Sequence, residues 1–210
     1  GIVGAIDNLS GSCGVAPGVR IWAVKVLNIS SSGAVSNIIK GVEYVNQNAA
    51  VISVANMSLG GVGSSNALRL AVQATVAKGV VFVAAAGNSR MNVYGTGGVF
   101  GDADDVFPAA FPEVCTVSAM VDTDGKAGGS GSLSAYGPDD TIASISNYST
   151  NVTPTNPVTS PGLAIDLAAP GASIYSTYKN NGYATMTGTS QAAPHVAGAT
   201  RPRTLSESLT

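Results

Sequence analysis

Two side chains stand where acyl chemistry could be done. Ser190 falls in Gly188-Thr189-Ser190, at a strand-to-helix turn, and is followed by the helix formers Gln191, Ala192 and Ala193. A serine at a helix N-terminus sits in a field that favours developing negative charge, although the same position also suits a plain helix cap. Asn88 is a neutral amide donor placed just past the apolar run 80–86. Two further glycine-containing segments, Ser58-Leu59-Gly60-Gly61 and Ala84-Ala85-Ala86-Gly87, also fall where strands should end. Glycine at such places lets a second backbone come close.

The elements that must position these groups follow from periodicity. Residues 20–27 alternate Ile21, Ala23, Lys25 with Trp22, Val24, Val26 and read as a strand. Between residues 34 and 48, Val35, Ile38, Ile39, Val42 and Val45 have helical spacing. A second strand is expected at 51–57. Ser64 or Ser65 then caps a helix through Leu68, Leu70, Ala71, Val72 and Ala74 that closes at Lys78-Gly79. Residues 80–86 are nearly all apolar, as in a strand covered on both faces. This alternation predicts an α/β fold with a parallel sheet between helices, its crevice at the carboxyl ends of the strands. Residues 90–162 are rich in Gly, Ser, Asp, Thr and Pro and read as long surface loops, with a short strand near 114–120. Regular pieces return at 163–168, 174–178 and 184–186. No internal repeat or domain boundary interrupts the 210 residues.

Composition narrows the function. Charged residues make up 10% of the chain, against about 25% in an average protein. The net charge of −2 provides no basic face, so nucleic acid and membrane surfaces are excluded as partners. No apolar run reaches the roughly 18 residues needed to span a bilayer. Cys13 and Cys115 are too few for a disulfide scaffold and are either one bridge or two buried thiols. Acceptor tripeptides for glycosylation at Asn8, Asn28, Asn56, Asn147 and Asn151 are read as chance in a Ser-rich chain.

Read whole, Gly188-Thr-Ser-Gln-Ala-Ala-Pro-His-Val-Ala-Gly198 resembles the nucleophile motif of the subtilisin-like serine peptidases. The likeness extends, in family order, to Gly14-Val-Ala-Pro17, Ala23-Val-Lys-Val-Leu27, Asn56-Met-Ser-Leu-Gly-Gly61, Val83-Ala-Ala-Ala-Gly-Asn88 and Ala168-Ala-Pro-Gly171. It implies a three-layer subtilisin-like fold and a secreted, monomeric endopeptidase acting on polypeptide substrates. It implies Ser190 as nucleophile, and Asn88 with the Ser190 backbone N–H as the oxyanion hole. Ser31-Ser32-Gly33 and Ser58-Leu59-Gly60 match the edges that pair with an extended substrate, which is recognition by strand addition. Ala85, Ala86 and Gly87 match one wall of the pocket for the residue before the cut. Phe107-Pro108 resembles the site of a cis-proline turn.

Acyl transfer by serine also needs a base and a carboxylate to orient it. The single histidine, His195, follows Ser190 by five residues, which on a helix of 3.6 residues per turn puts the two side chains roughly 140° apart. It is expected to be structural, and the family motif carries a non-catalytic histidine there. Asp7, Asp102, Asp104, Asp122 and Asp166 do not match the family's aspartate motif and read as loop or capping carboxylates. Both missing catalytic groups are expected N-terminal to Gly1, which resembles the end of the family's histidine motif. Residues 1–200 are therefore read as a partial catalytic domain with its N-terminal part missing, inactive alone. Residues 201–210 break the apolar helix that the family continues and are read as a foreign or frameshifted tail.

The resemblance further places a structural calcium at the loop holding Asn8, where carbonyl and amide oxygens suit a hard cation. Asp102, Asp104 and Asp105 form a second acidic loop, expected to be a solvated turn. Two rivals remain. One is a dinucleotide loop at Gly60-Gly61-Val62-Gly63-Ser64-Ser65, which lacks the acidic residue expected about 20 positions on. The other is a non-catalytic subtilisin-like domain, which would have no need of both Ser190 and Asn88.

Overall fold

The computed structural model describes residues 1–149 and 164–200. In chain order the elements are α1 (Val35–Gln47), β1 (Val54–Met57), β2 (Gly61–Val62), α2 (Asn66–Val76), β3 (Val81–Ala85), β4 (Val106–Phe107) and β5 (Cys115–Met120). After the undescribed segment come β6 (Leu167–Pro170), β7 (Ile174–Tyr178), β8 (Gly182–Met186) and α3 (Thr189–Ala199).

Strands β1, β3, β5 and β6 form one parallel sheet in that order. Alternation along β3 shows how the layers form. Phe82 and Ala84 join α1 and α2 in one cluster with Ile38, Val42, Leu68 and Val72. Val83 and Ala85 face the other way, onto Val117, Ala119 and the α3 residues Ala192, Ala193 and Ala197. A strand sandwiched in this way needs apolar residues on both faces, which is why 80–86 has no polar position. The α3 side is built of alanines, so that helix lies close against the sheet.

The helices end as their sequences dictate. Ser65 Oγ accepts the Leu68 N–H at 3.3 Å and caps α2. At the other end Gly79 takes φ +90°, a left-handed conformation that glycine adopts without penalty. The bidentate pair of Arg69 with Glu113 (2.8 Å from Nη2), joined by Gln73 at 2.6 Å, ties α2 to the segment before β5. Burial alone would raise Glu113, but the Arg69 and Gln73 hydrogen bonds hold its carboxyl below the usual range.

Several expectations need correction. Residues 20–27 form no strand. A strand requires a ladder partner, and here β1 is the edge of its sheet. Between the two lies an open groove of about 640 Å³, lined by Val19, Ile21, Val24 and Val26 on one side and by Val54 and Ala55 on the other. Ile21 is 60% exposed as a result. The pairing of β7 with β8 as an antiparallel hairpin was not anticipated; it turns through Asn180 and Asn181, both at positive φ. The cysteines make no bridge, and Cys13 is exposed rather than buried. Cys115 is half-buried, and burial pushes its thiol up to about 11. Asn147 is 1% exposed, so that tripeptide is closed to glycosylation in the folded state. Asn151 and residues 201–210 lie outside the described residues.

Leu68 is fully buried between α2 and the sheet. Leu68→Ala should lower unfolding free energy by about 2–5 kcal/mol, read as a lower urea midpoint at unchanged slope.

Candidate active site

The site forms where the ends of β1 and β3 meet the start of α3. Gly188 precedes the helix, and Asn88 Oδ1 accepts both the Thr189 N–H (2.8 Å) and the Thr189 hydroxyl (3.0 Å). Thr189 Oγ1 in turn accepts the Gly87 N–H at 3.0 Å. With its oxygen held in this way, the Asn88 amide presents its Nδ2 donors beside Gly188, and Asn88 itself is exposed.

Ser190 is the second residue of α3, so its N–H has no partner four residues back within the helix. Its carbonyl is also unusual. Pro194 stands four residues on and brings no N–H, so the Ser190 carbonyl loses the helical bond it would otherwise make. Ser58 Oγ donates to that carbonyl at 3.1 Å, and Ser190 Oγ lies 3.5 Å from the Ser58 carbonyl. A proline inside the helix thereby links Ser190 to the segment after β1. His195 takes no part: its Nδ1 lies 2.8 Å from the Gln191 carbonyl, one turn back.

The fold therefore brings together Ser58-Leu59-Gly60, Ala85-Ala86-Gly87, Asn88 and Ser190. Ala86 is fully buried, its N–H given to Val117 and its carbonyl taken by Asn147, so it backs the wall rather than lining it. Ser31-Ser32-Gly33 stand on an exposed turn ahead of α1, with Ser31 at φ +56°. That turn is organised by Asn28, whose Oδ1 accepts the N–H groups of Ser30 and Ser32. Ser32 and Gly33 line a separate cavity of about 510 Å³ with Val26, Asn37, Lys40 and Tyr44. Asn8 is distant in the chain and exposed, its Oδ1 accepting the Ser10 N–H at 3.2 Å. The Phe107-Pro108 bond is cis, as its resemblance implied.

Asn147 was missed as a positioning residue. Its Oδ1 accepts the N–H groups of Ser89 (2.9 Å) and Met91 (3.1 Å), its Nδ2 donates to the Ala86 carbonyl (2.8 Å), and its own N–H binds the Gly87 carbonyl. One buried amide thus closes around the segment carrying Asn88. Gly87, at φ +105°, lies directly against this amide, and no side chain fits there. Only a long-range contact gives Asn147 this place, so no local pattern announces it.

The model of the subtilase family matches residues 1–200. Subtilisin DY of Bacillus licheniformis is 39% identical over 199 residues, covering 95% of this chain and 59% of that protein. Alkaline serine exoprotease A of Vibrio alginolyticus is 39% identical over 185 residues, covering 88% of this chain and 27% of that protein. A cold-adapted subtilisin-like serine proteinase of known structure superposes with a TM-score of 0.66 at 38% identity, over 88% of this chain and 53% of the other. The chain spans 59% and 58% of the length of two subtilisins it matches.

Asn147→Ala would strip partners from the Ala86 carbonyl and from the Ser89 and Met91 N–H groups. It should lower unfolding free energy by about 2–4 kcal/mol in a denaturant titration, with faster amide exchange at Ser89 and Met91 than at the Leu68 control.

Proposed function

Since the chain belongs to the subtilase family, we propose that it is the larger part of a secreted, monomeric serine endopeptidase that cuts extended polypeptides. The observation that carries this reading is the interlock of Asn88 with Thr189 beside Ser190 at the start of α3. A fold alone has no use for an exposed amide whose oxygen is fixed to the residue just before a serine at a helix N-terminus.

In this reading Ser190 Oγ attacks the scissile carbonyl carbon and gives its proton to a base. The resulting oxyanion takes hydrogen bonds from Asn88 Nδ2 and the Ser190 N–H, in the favourable field of α3. Collapse expels the amine with that proton and leaves an ester on Ser190, which water then hydrolyses. Ser58-Leu59-Gly60 and Ser31-Ser32-Gly33 would pair with the substrate backbone, and Ala85-Ala86-Gly87 would wall the pocket of the residue before the cut.

The base and its orienting carboxylate are assigned to chain outside these 210 residues, because His195 is bonded within its own helix. The apolar groove between β1 and residues 19–26 supports this assignment, since β1 is an edge strand whose free side can receive a further strand. A structural calcium at the Asn8 loop belongs to the same reading. Asn8 Oδ1 and the neighbouring backbone carbonyls are oxygen donors of the right kind, and the ion would brace that exposed loop. Secretion fits the low charge and the finding that no helix among the described residues is long and apolar enough to cross a membrane.

The 210-residue chain alone should show little or no hydrolysis of denatured casein; in subtilisin itself, loss of the histidine costs about a million-fold. A protein extended through its own upstream coding sequence should cut casein, and Ser190→Ala should abolish that activity. Asn88→Ala should lower kcat by about 100- to 1000-fold with KM little changed, a magnitude taken over from a subtilisin's own oxyanion asparagine. An upstream sequence with no histidine motif would sink the catalytic reading and leave a non-catalytic domain.

A further inference from the structure

Helix α1 carries two stripes of different character. Ile38, Val42 and Val45 are buried in the core cluster. Asn37, Lys40, Gly41 and Tyr44, spaced i, i+3, i+4 and i+7, form a second stripe, and it lines the cavity of about 510 Å³ that residues 24–28 close from the other side. The two walls meet at Gly41, where a Cβ would run into Val24 and Val26. A helix stripe turned toward neighbouring chain is ordinarily apolar. This one carries an amide, an ammonium group and a phenol.

Positive charge and hydrogen-bond donors converge on the same space. Lys25 lines it from the wall facing Lys40. Asn28 lines it too, and its Oδ1 already accepts the N–H groups of Ser30 and Ser32, at 2.9 and 3.1 Å, so its amide has donors left to offer. No acidic side chain lines the cavity; Glu43, the acid nearest to Lys40 in sequence, does not reach it. Among the described residues the salt bridge is that of Arg69 with Glu113, on α2. Acids gather elsewhere, as in the loop of Asp102, Asp104 and Asp105. That loop is not the solvated turn its sequence suggests, because Asp105 is 3% exposed and its Oδ2 accepts the Gly101 N–H at 2.7 Å. A recess lined by one sign of charge does little for the fold, but it concentrates ligands of the opposite sign.

We propose that this cavity receives an acidic side chain, aspartate or glutamate, of a polypeptide laid along Ser31-Ser32-Gly33. The inference rests on the endopeptidase reading and narrows it, because Ser32 and Gly33 of the candidate substrate edge line the same cavity. A carboxylate held there would meet two ammonium groups and an amide while its backbone pairs with the edge. The substrate class becomes extended polypeptides that carry carboxylates. Selection by charge also speeds encounter and fades as salt screens it.

The 210-residue chain should hold a peptide without cutting it, so binding can be measured directly. An isotope-labelled sample is titrated with an end-blocked peptide of alanine, serine and glutamate, and with its glutamine counterpart, while amide NMR shifts are followed. The glutamate peptide should bind roughly fivefold tighter at low salt, the worth of two exposed charge pairs. That advantage should vanish in about 1 M sodium chloride. Shifts are expected at Ser32, Gly33 and Gly41. Lys25→Gln/Lys40→Gln should reduce the glutamate peptide to the affinity of the glutamine one, and Lys40→Glu should weaken it further. Both lysines are exposed, so these variants should fold as the parent does. Equal affinity of the parent for the two peptides overturns the proposal, and shifts at Ser58, Leu59 and Gly60 would then leave the endopeptidase reading standing. A preference that survives in the double variant overturns it too. If neither peptide moves the amides of either edge, this proposal and recognition by strand addition fall together.

Discussion

Strand β3 has to be covered on both faces, and the layout of the chain follows from that demand. Phe82 and Ala84 require α1 and α2 on one side, while Val83 and Ala85 require α3 on the other. With both faces and both edges occupied, the strand has one free direction, its carboxyl end. The backbone that leaves there, Ala86-Gly87-Asn88, emerges beside the first turn of α3. The placement of Asn88 near Ser190 is thus a geometric result of how the alanine-rich helix must lie on the sheet.

Polar groups then refine what burial has roughly located. Asn147 closes the exit of β3 from beneath, Thr189 joins Gly87 to Asn88, and Ser58 reaches the carbonyl that Pro194 leaves open. Each contact connects segments far apart in sequence, the last across 132 positions. Such bonds are weak singly against the entropy of ordering four segments. They are useful because they are shielded and mutually consistent, so that a displacement of any one would leave a buried group without a partner.

This division also separates what the sequence could reveal from what it could not. The two faces of β3, the Ser65 cap and the helical stripe of Val35, Ile38 and Val42 are local patterns, and each was legible within a few residues of its true limits. That Asn88 would lie beside the start of α3 was legible because the ordered segments around it resemble a known family. The strand expected at 20–27 failed because alternation reports a strand-forming surface but not the neighbour a ladder needs. Asn147 and Asp105 were obscure for the opposite reason. Each looks like an ordinary loop residue, and only the folded chain shows one to be a buried brace and the other a buried charge.

The order of the elements along the chain has its own consequence for assembly. The parallel pair β5–β6 joins Val117 to Leu167, and the helix bearing Ser190 is the last element described. Until that helix has left the ribosome, Val83, Val117 and Ala119 lack the cover of Ala192, Ala193 and Ala197, and Asn88 has no Thr189 to hold. Non-local pairing of this kind makes for slow folding. Nascent chains would therefore carry a partly exposed apolar sheet face, and Asn88 would meet Thr189 only after α3 has docked.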